Sequence, residues 1–492
     1  MMPRKVTSVA AALAVLGALA ACDGDAAAPP TTSMRTGPVS TVTAQVYEGG
    51  AADLGIKWNW NLKPPQAYAE RIGWGETFFE VEWCALRNKP DAQRFAQVER
   101  LLGQAEQMGY RMMLKLRVGN CAGGPEELDP AEGTRKSPST FPDDPAAYEQ
   151  FVTTVVNRYK QRGVKLWAIE NEVDANNFWS GTPQEYVELV KLTGAAVKAA
   201  DPEATVLDAG ISSTGYGIAL SGELLDAGKE QEALDLYTAW FERRHGSGTA
   251  RFPALDSVDA LRSLLGEGRA KRVRAMVTAN WEAVNSGAVT AYQLHFYENP
   301  DLLPTLLDYV RRHLSRPLPI QGWEIGTAWP GEGYDEAKHG AEVARLIGTL
   351  LREKVSPVVY LPLAYTPGGA TKVEIFRGLV SPEGADLPSG LVYQRYAEAL
   401  HHSKSLTGVR FEGGSGVLVI GATANFAVLW PDAGSTVTVT GEQVHSATAP
   451  TSLLAAGTAS PDPVLIELAA GDAEAATTEL TQVAGTAVTI TD

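Results

Sequence analysis

Eight short apolar segments, each followed by a helical pattern, occupy the chain from Ala52 to about Ser403. They are Gly55–Trp60, Thr77–Trp83, Arg111–Val118, Lys165–Asn171, Thr205–Ile211, Val289–Tyr297, Leu318–Trp323 and Pro357–Ala364. Several are apolar at consecutive rather than alternating positions, the pattern of parallel strands covered on both faces. Helix starts are marked between them. Asp144-Pro145 opens a helix whose Tyr148, Phe151, Val152, Val155 and Tyr159 share one face, and Thr182-Pro183-Gln184-Glu185 is a capping box with proline at the first helical position. The pattern predicts an α/β fold, a (β/α)8 TIM barrel. An open doubly wound sheet competes, but no glycine-rich dinucleotide fingerprint follows the first strand. The oversized gap between the fifth and sixth strands reads as a helical insertion at about 214–286.

The flanks read differently. Residues 1–21 have a basic start, Met1-Met-Pro-Arg-Lys5, and an Ala/Leu-rich stretch shorter than the ~20 residues a membrane span needs. Leu19-Ala20-Ala21-Cys22 resembles a bacterial lipobox, so Cys22 is expected to be lipidated and the protein exported and anchored outside the cytoplasmic membrane. The alternative is an ordinary signal peptide with a coincidental cysteine. Residues 22–43, rich in Ala, Pro, Thr and Ser, are expected to be a disordered tether. The barrel is expected over 44–403. Beyond it, over 404–492, short strands separated by Gly, Asp and Pro turns read as a small antiparallel β-sandwich.

With 58 acidic against 42 basic residues, a cationic face for nucleic acid is not expected. The remaining cysteines, Cys84 and Cys121, follow consecutive strands. They are either a disulfide pair, in keeping with export, or two buried thiols. No Cys/His cluster with zinc spacing occurs.

Barrel enzymes carry their chemistry at the C-terminal strand ends. Those positions here include Trp58, Glu82, Trp83, Arg117, Asn171, Glu172, His295, Tyr297, Trp323 and Glu324. Two carboxylates on different strands, among aromatics and hydrogen-bonding side chains, suit cleavage of a glycosidic bond: one protonates the leaving oxygen, the other attacks or activates water. Each has a plainer reading. A strand-end glutamate can be salt-bridged, His295 and Tyr297 can be satisfied core residues, and Trp323 can be packing. Glu170 and Glu298 are expected to pair with basic residues.

The Asn171-Glu172 step ending the fourth strand and the Trp323-Glu324-Ile-Gly326 step ending the seventh resemble clan A of the glycoside hydrolases, with families 5 and 39 nearest. The resemblance covers roughly residues 52–403 and extends to the closing sandwich. It implies that Glu172 is the acid/base and Glu324 the nucleophile of a retaining double displacement. It also implies that Asn171 bonds the sugar 2-hydroxyl, that Tyr297 sits near the nucleophile and that His295 orients the pair. Trp58, Trp83 and Trp323 are candidate sugar contacts. The arginine common after the second strand in these families is replaced by Glu82-Trp83-Cys84, and Arg117 is the candidate to take its place. The expected protein is a monomer acting on a β-linked poly- or oligosaccharide, with no metal or organic cofactor. A non-catalytic carbohydrate-binding lipoprotein and a glycan-remodelling transglycosylase are the alternatives.

Overall fold

The computed structural model describes residues 50–121, 127–129, 134–136, 138–244, 252–329, 333–364 and 376–491. Cys22 and the segments expected to be a leader and a tether lie outside them.

Eight parallel strands form one sheet: β1 Leu54–Ile56, β2 Gly75–Glu82, β3 Tyr110–Arg117, β4 Leu166–Ile169, β5 Thr205–Leu207, β6 Tyr292–Phe296, β7 Ile320–Ile325 and β8 Val358–Tyr360. Their order runs β5-β4-β3-β2-β1-β8-β7-β6. The N–H groups of Thr290 and Ala291 donate to Val206 O, and Leu207 bridges Ala291 in parallel, so β5 meets β6 and the ring closes. The fold is a TIM barrel, as the alternation predicts.

Side chains from successive strands fill the interior. Phe78, Met113, Ala168, Leu207, Ala291, Trp323 and Val359 form one buried cluster, the layered packing that makes such a barrel a core rather than a pore. The helices start where the sequence marks them. Asp144 caps Pro145–Tyr159 through Ala147 N, and Thr182 with Glu185 forms both bonds of the capping box of Pro183–Ala200. Between β5 and β6 lie four helices: Ser213–Asp226, Glu230–Phe241, Val258–Gly266 and Gly268–Asn285. The last is bonded to the barrel wall, its Asn280 side chain accepting from Tyr186 Oη and donating to Asp208.

The C-terminal region holds one seven-stranded antiparallel sheet. One of its faces is covered by a two-stranded ribbon, Val437–Val439 with Thr458–Ser460, and by a helix, Ala473–Ala484, which the strand-and-turn reading did not anticipate. Alternation splits strand Gly414–Ile420. Leu418 and Ile420 enter that cluster, whereas Val417 and Val419 are buried on the opposite side. That opposite face meets the barrel. Tyr396 of helix Pro388–Leu400 donates to Ala344 O of helix Glu336–Arg352 and packs edge-on against Phe426, and Trp430 lies over Gly348.

Cys84 and Cys121 form a disulfide with a Cα–Cα distance of 4.9 Å, linking the segments that leave β2 and β3 across a sequence separation of 37. Such a closure removes unfolded-state entropy. Cys84→Ser is expected to lower unfolding stability by about 2–4 kcal/mol. Denaturant titrations of the two proteins, with and without reductant, check this; equal midpoints would contradict it.

Candidate active site

Strand ends and one irregularity bring the site together. In β6 and β7, Leu294 pairs with Gly322 but His295 with Glu324, so Trp323 is an extra residue on β7. This bulge turns both Trp323 and Glu324 inward, where regular alternation would send one of them outward. Trp323 drops into the interior cluster and donates Nε1–H to Gln321, leaving Glu324 above it facing the barrel mouth.

The opposite wall carries backbone strain. After β4 the chain passes through positive φ at both Glu170 (68°) and Glu172 (35°). Non-glycine residues pay about 1–3 kcal/mol for such conformations, which cluster at functional sites. The segment is held by Glu170 N–H to Leu116 O and Glu172 N–H to Ala209 O.

One oxygen each of Glu172 and Glu324 and one ring nitrogen of His295 lie within 4.8 Å of one another. His295 Nδ1 is 3.1 Å from Glu172 Oε1 and 3.8 Å from Glu324 Oε2. Burial pulls the His295 pKa down to about 4, with Lys115 opposing protonation further, although Glu324 favours it. The ring is therefore neutral at ordinary pH, and two adjacent carboxyl groups favour the tautomer with its proton on Nδ1. Its Nε2 has no partner among the described residues and faces Gly210, where a Cβ would lie 2.6 Å away. Gly210, with φ +68°, is the residue that lets the ring fit.

Glu324 is bound at both oxygens. Lys115 Nζ lies 2.6 Å from Oε1, and Tyr297 Oη donates to Oε2 at 3.2 Å. Burial pushes its carboxyl up, but positive charge beside it, on His295 when that ring is protonated and on the contacting Lys115, pulls harder, and the net shift is downward. With His295 neutral, the cationic side chain in hydrogen-bond contact with Glu324 is that of Lys115. Lys115 also donates to Asn171 Oδ1, and the Asn171 NH2 has no hydrogen-bond partner among the described residues. A cation placed among Glu172, His295 and Glu324 would stand against this ammonium, so the donor set does not fit a metal.

Four expected sugar contacts are not in this constellation. Arg117 does not take the missing arginine's place: it is fully buried and bound to Glu80 and Glu170, Ser139 Oγ and Phe178 O. Glu170 is thus paired as expected; burial lifts its pKa to about 7 although Arg117 opposes this. Glu298 is likewise paired, with Arg244 at 2.7 Å. Trp58 is 1% exposed and packs against Trp60 and Tyr110. Trp83 is 3% exposed and packs edge-on against Tyr148 of the outer helix Pro145–Tyr159. Trp323 is interior filling. All three tryptophans sit where hydrophobic burial, not ligand stacking, uses their area.

The sequence reading missed Lys115 and the supports behind the site. Asp208 accepts from Gln293 N, Gly210 N and Asn280 Nδ2, fixing β6 beneath His295. Asp174 accepts from Ser212 N and Oγ. From helix Gly268–Asn285, Arg272 bonds Asp174 O and Trp179 O, so the extra helical region braces the loop carrying Glu172. Phe376 packs on Tyr297 with centroids 4.7 Å apart.

No protein-family model and no curated protein matches the chain. Solved structures do. A family 39 glycoside hydrolase from the gut symbiont Bacteroides cellulosilyticus WH2 superposes with a TM-score of 0.53 at 14% identity, covering 85% of this chain and 81% of that one. The shared fold is established. A glucosidase from Croceicoccus marinus gives a TM-score of 0.54 at 11% identity, over 87% and 97% of the two chains. A GH39 enzyme from Xanthomonas axonopodis pv. citri gives 0.50 at 13%, over 86% and 96%. At such identities the chemistry must be read from the site itself.

Proposed function

We propose that the protein is a retaining glycoside hydrolase that cleaves β-linked glycans by double displacement. The observation that carries this reading is the approach of Glu172 and Glu324 to within 4.8 Å at the barrel mouth, with their surroundings divided in charge. A retaining pair stands about 5–5.5 Å apart, whereas an inverting pair needs about 6.5–9.5 Å to admit a water between the base and the sugar.

In the first step Glu324 attacks the anomeric carbon while protonated Glu172 gives its proton to the departing oxygen. The C–O bond to the leaving group breaks as the glycosyl ester forms. In the second step Glu172, now a carboxylate, takes a proton from water, whose oxygen attacks the same carbon and releases Glu324. Asn171 offers its NH2 to the sugar 2-hydroxyl, a contact of the kind that strengthens in the transition state. His295 holds Glu172 through Nδ1–H, and Tyr297 steadies Glu324.

The substrate of this reading is a β-linked poly- or oligosaccharide outside the cytoplasmic membrane, and the chain reaches it as an exported protein anchored through lipid on Cys22. The basic and apolar N-terminal sequence supports export, and so does the Cys84–Cys121 disulfide, a bond of oxidising compartments. The test is turnover by the full-length chain on a panel of aryl β-glycosides, β-glucans and xylans. Hydrolysis of at least one class is expected. Saturable binding of a glycan without turnover would overturn the reading in favour of a carbohydrate-binding protein on a barrel scaffold.

A further inference from the structure

Lys115 sits inside an otherwise apolar stretch of β3, between Leu114 and Leu116, and its side chain is fully buried. Removing an ammonium from water costs several kcal/mol unless good partners replace the hydration. Three partners surround this one. Nζ lies 2.6 Å from Glu324 Oε1, donates to Asn171 Oδ1, and stands 4.3 Å from the centroid of the Phe78 ring. Lys57 Nζ approaches the same ring at 4.4 Å and donates to Phe78 O. Both of Lys115's hydrogen-bonded partners are residues of the site, so its contacts serve the site rather than join the barrel to its helices. An apolar side chain would pack at this interior position without the desolvation cost.

We propose that Lys115 is the positioning residue of the catalytic pair, fixing the Glu324 carboxylate for attack and turning the Asn171 amide so that its NH2 faces the substrate. The inference rests on the reading of Glu324 as the nucleophile. It assigns to a lysine on β3 the place that the sequence comparison left to Arg117. One ammonium orients the attacking group and the 2-hydroxyl contact together, so a sugar seated on Asn171 is presented to Glu324 in register. Its charge also favours departure of Glu324 as a carboxylate when water cleaves the ester, because negative charge returns to that oxygen in the second transition state.

The groups around Glu324 and its neighbours are Lys57 after β1, Glu80 on β2, Lys115 on β3, Glu172 and Asp174 after β4, Asp208 after β5, His295 and Tyr297 on and after β6, and Tyr360 on β8. Lys115 is the cation in contact with Glu324. The nucleophile works as a carboxylate, which forms as pH rises, and a neighbouring cation brings that ionisation to lower pH. Taking the cation away therefore moves the acidic limb of activity to higher pH.

The experiment is the pH profile of kcat/KM for the full-length chain and its Lys115→Met, Lys115→Gln and Lys115→Arg variants on the best aryl β-glycoside. Glu324→Gln runs as a control. Lys115→Met is expected to lose about 100-fold in kcat/KM, with its acidic limb about one pH unit higher. Lys115→Arg, which keeps the charge, is expected to hold the limb near that of the unaltered protein. Lys115→Gln keeps hydrogen-bond donors without charge and is expected to shift as the methionine variant does; it carries the comparison if Lys115→Met does not fold. A folded neutral variant whose limb does not move, with Lys115→Arg equally impaired, would overturn the proposal and leave Lys115 as packing. If Glu324→Gln retained turnover, the nucleophile assignment itself would fail, a result distinct from an unmoved limb beside an inactive Glu324→Gln.

Discussion

Glu324→Gln is expected to abolish turnover, lowering kcat by about 10^4- to 10^6-fold, while the protein stays folded. The amide keeps the size of the side chain and an oxygen for Lys115, but its nitrogen and oxygen are too weak as nucleophiles to form the glycosyl ester. Losing the charge has a second consequence, because Lys115 is fully buried against this carboxylate. A buried charge left with a neutral partner costs about 1–3 kcal/mol, so the melting temperature should fall modestly. Single-turnover kinetics and thermal unfolding measured together separate the two effects. A variant that still turned over at more than a few per cent of the normal rate would remove Glu324 from the mechanism.

For Glu172→Gln the expected loss depends on the leaving group. Departure of a poor leaving group needs the proton, and the loss there should be about 10^2- to 10^4-fold. A dinitrophenolate leaves without protonation, so formation of the glycosyl–enzyme should be nearly unaffected and its breakdown by water should become limiting. Azide needs no base to attack. Added azide should therefore restore turnover of the dinitrophenyl glycoside and yield a β-glycosyl azide. A loss equal for good and poor leaving groups, with no azide effect, would show that Glu172 acts through structure alone.

The barrel was legible because its evidence is local and repeated: apolar runs such as Met112 to Leu116 alternate with capped helices, and no single segment decides the outcome. The pair Glu172 and Glu324 was legible because strand order fixes where the ends of β4 and β7 go. Which way a strand-end side chain points was harder to read. Trp58 and Trp83 sit near strand ends as read, yet they pack against Tyr110 and Tyr148 instead of the glutamates. Trp323 turns inward beside Glu324 through a bulge that no residue type announces. Arg117 was the natural substitute for a missing arginine by charge, but Glu80 and Glu170 already hold it. Lys115 was visible as a charge in an apolar strand and was read past. An unpaired ammonium is so costly in such a place that its partners, Glu324 and Asn171, could have been sought among the carboxylates and amides of neighbouring strands. In the C-terminal region, strands were readable from alternation, whereas Ala473–Ala484 lacks a wide apolar stripe and gains its place by burying Ala476, Leu480 and Ala484 in the cluster that also holds Leu418 and Ile420.

The double displacement itself is tested most directly by the anomeric configuration of the first product. Proton NMR of the reaction with an aryl β-glycoside, recorded before the free sugar mutarotates, should show the β-anomer appearing first. An α-anomer appearing first would mean that water, not Glu324, attacks the substrate, and would contradict the account.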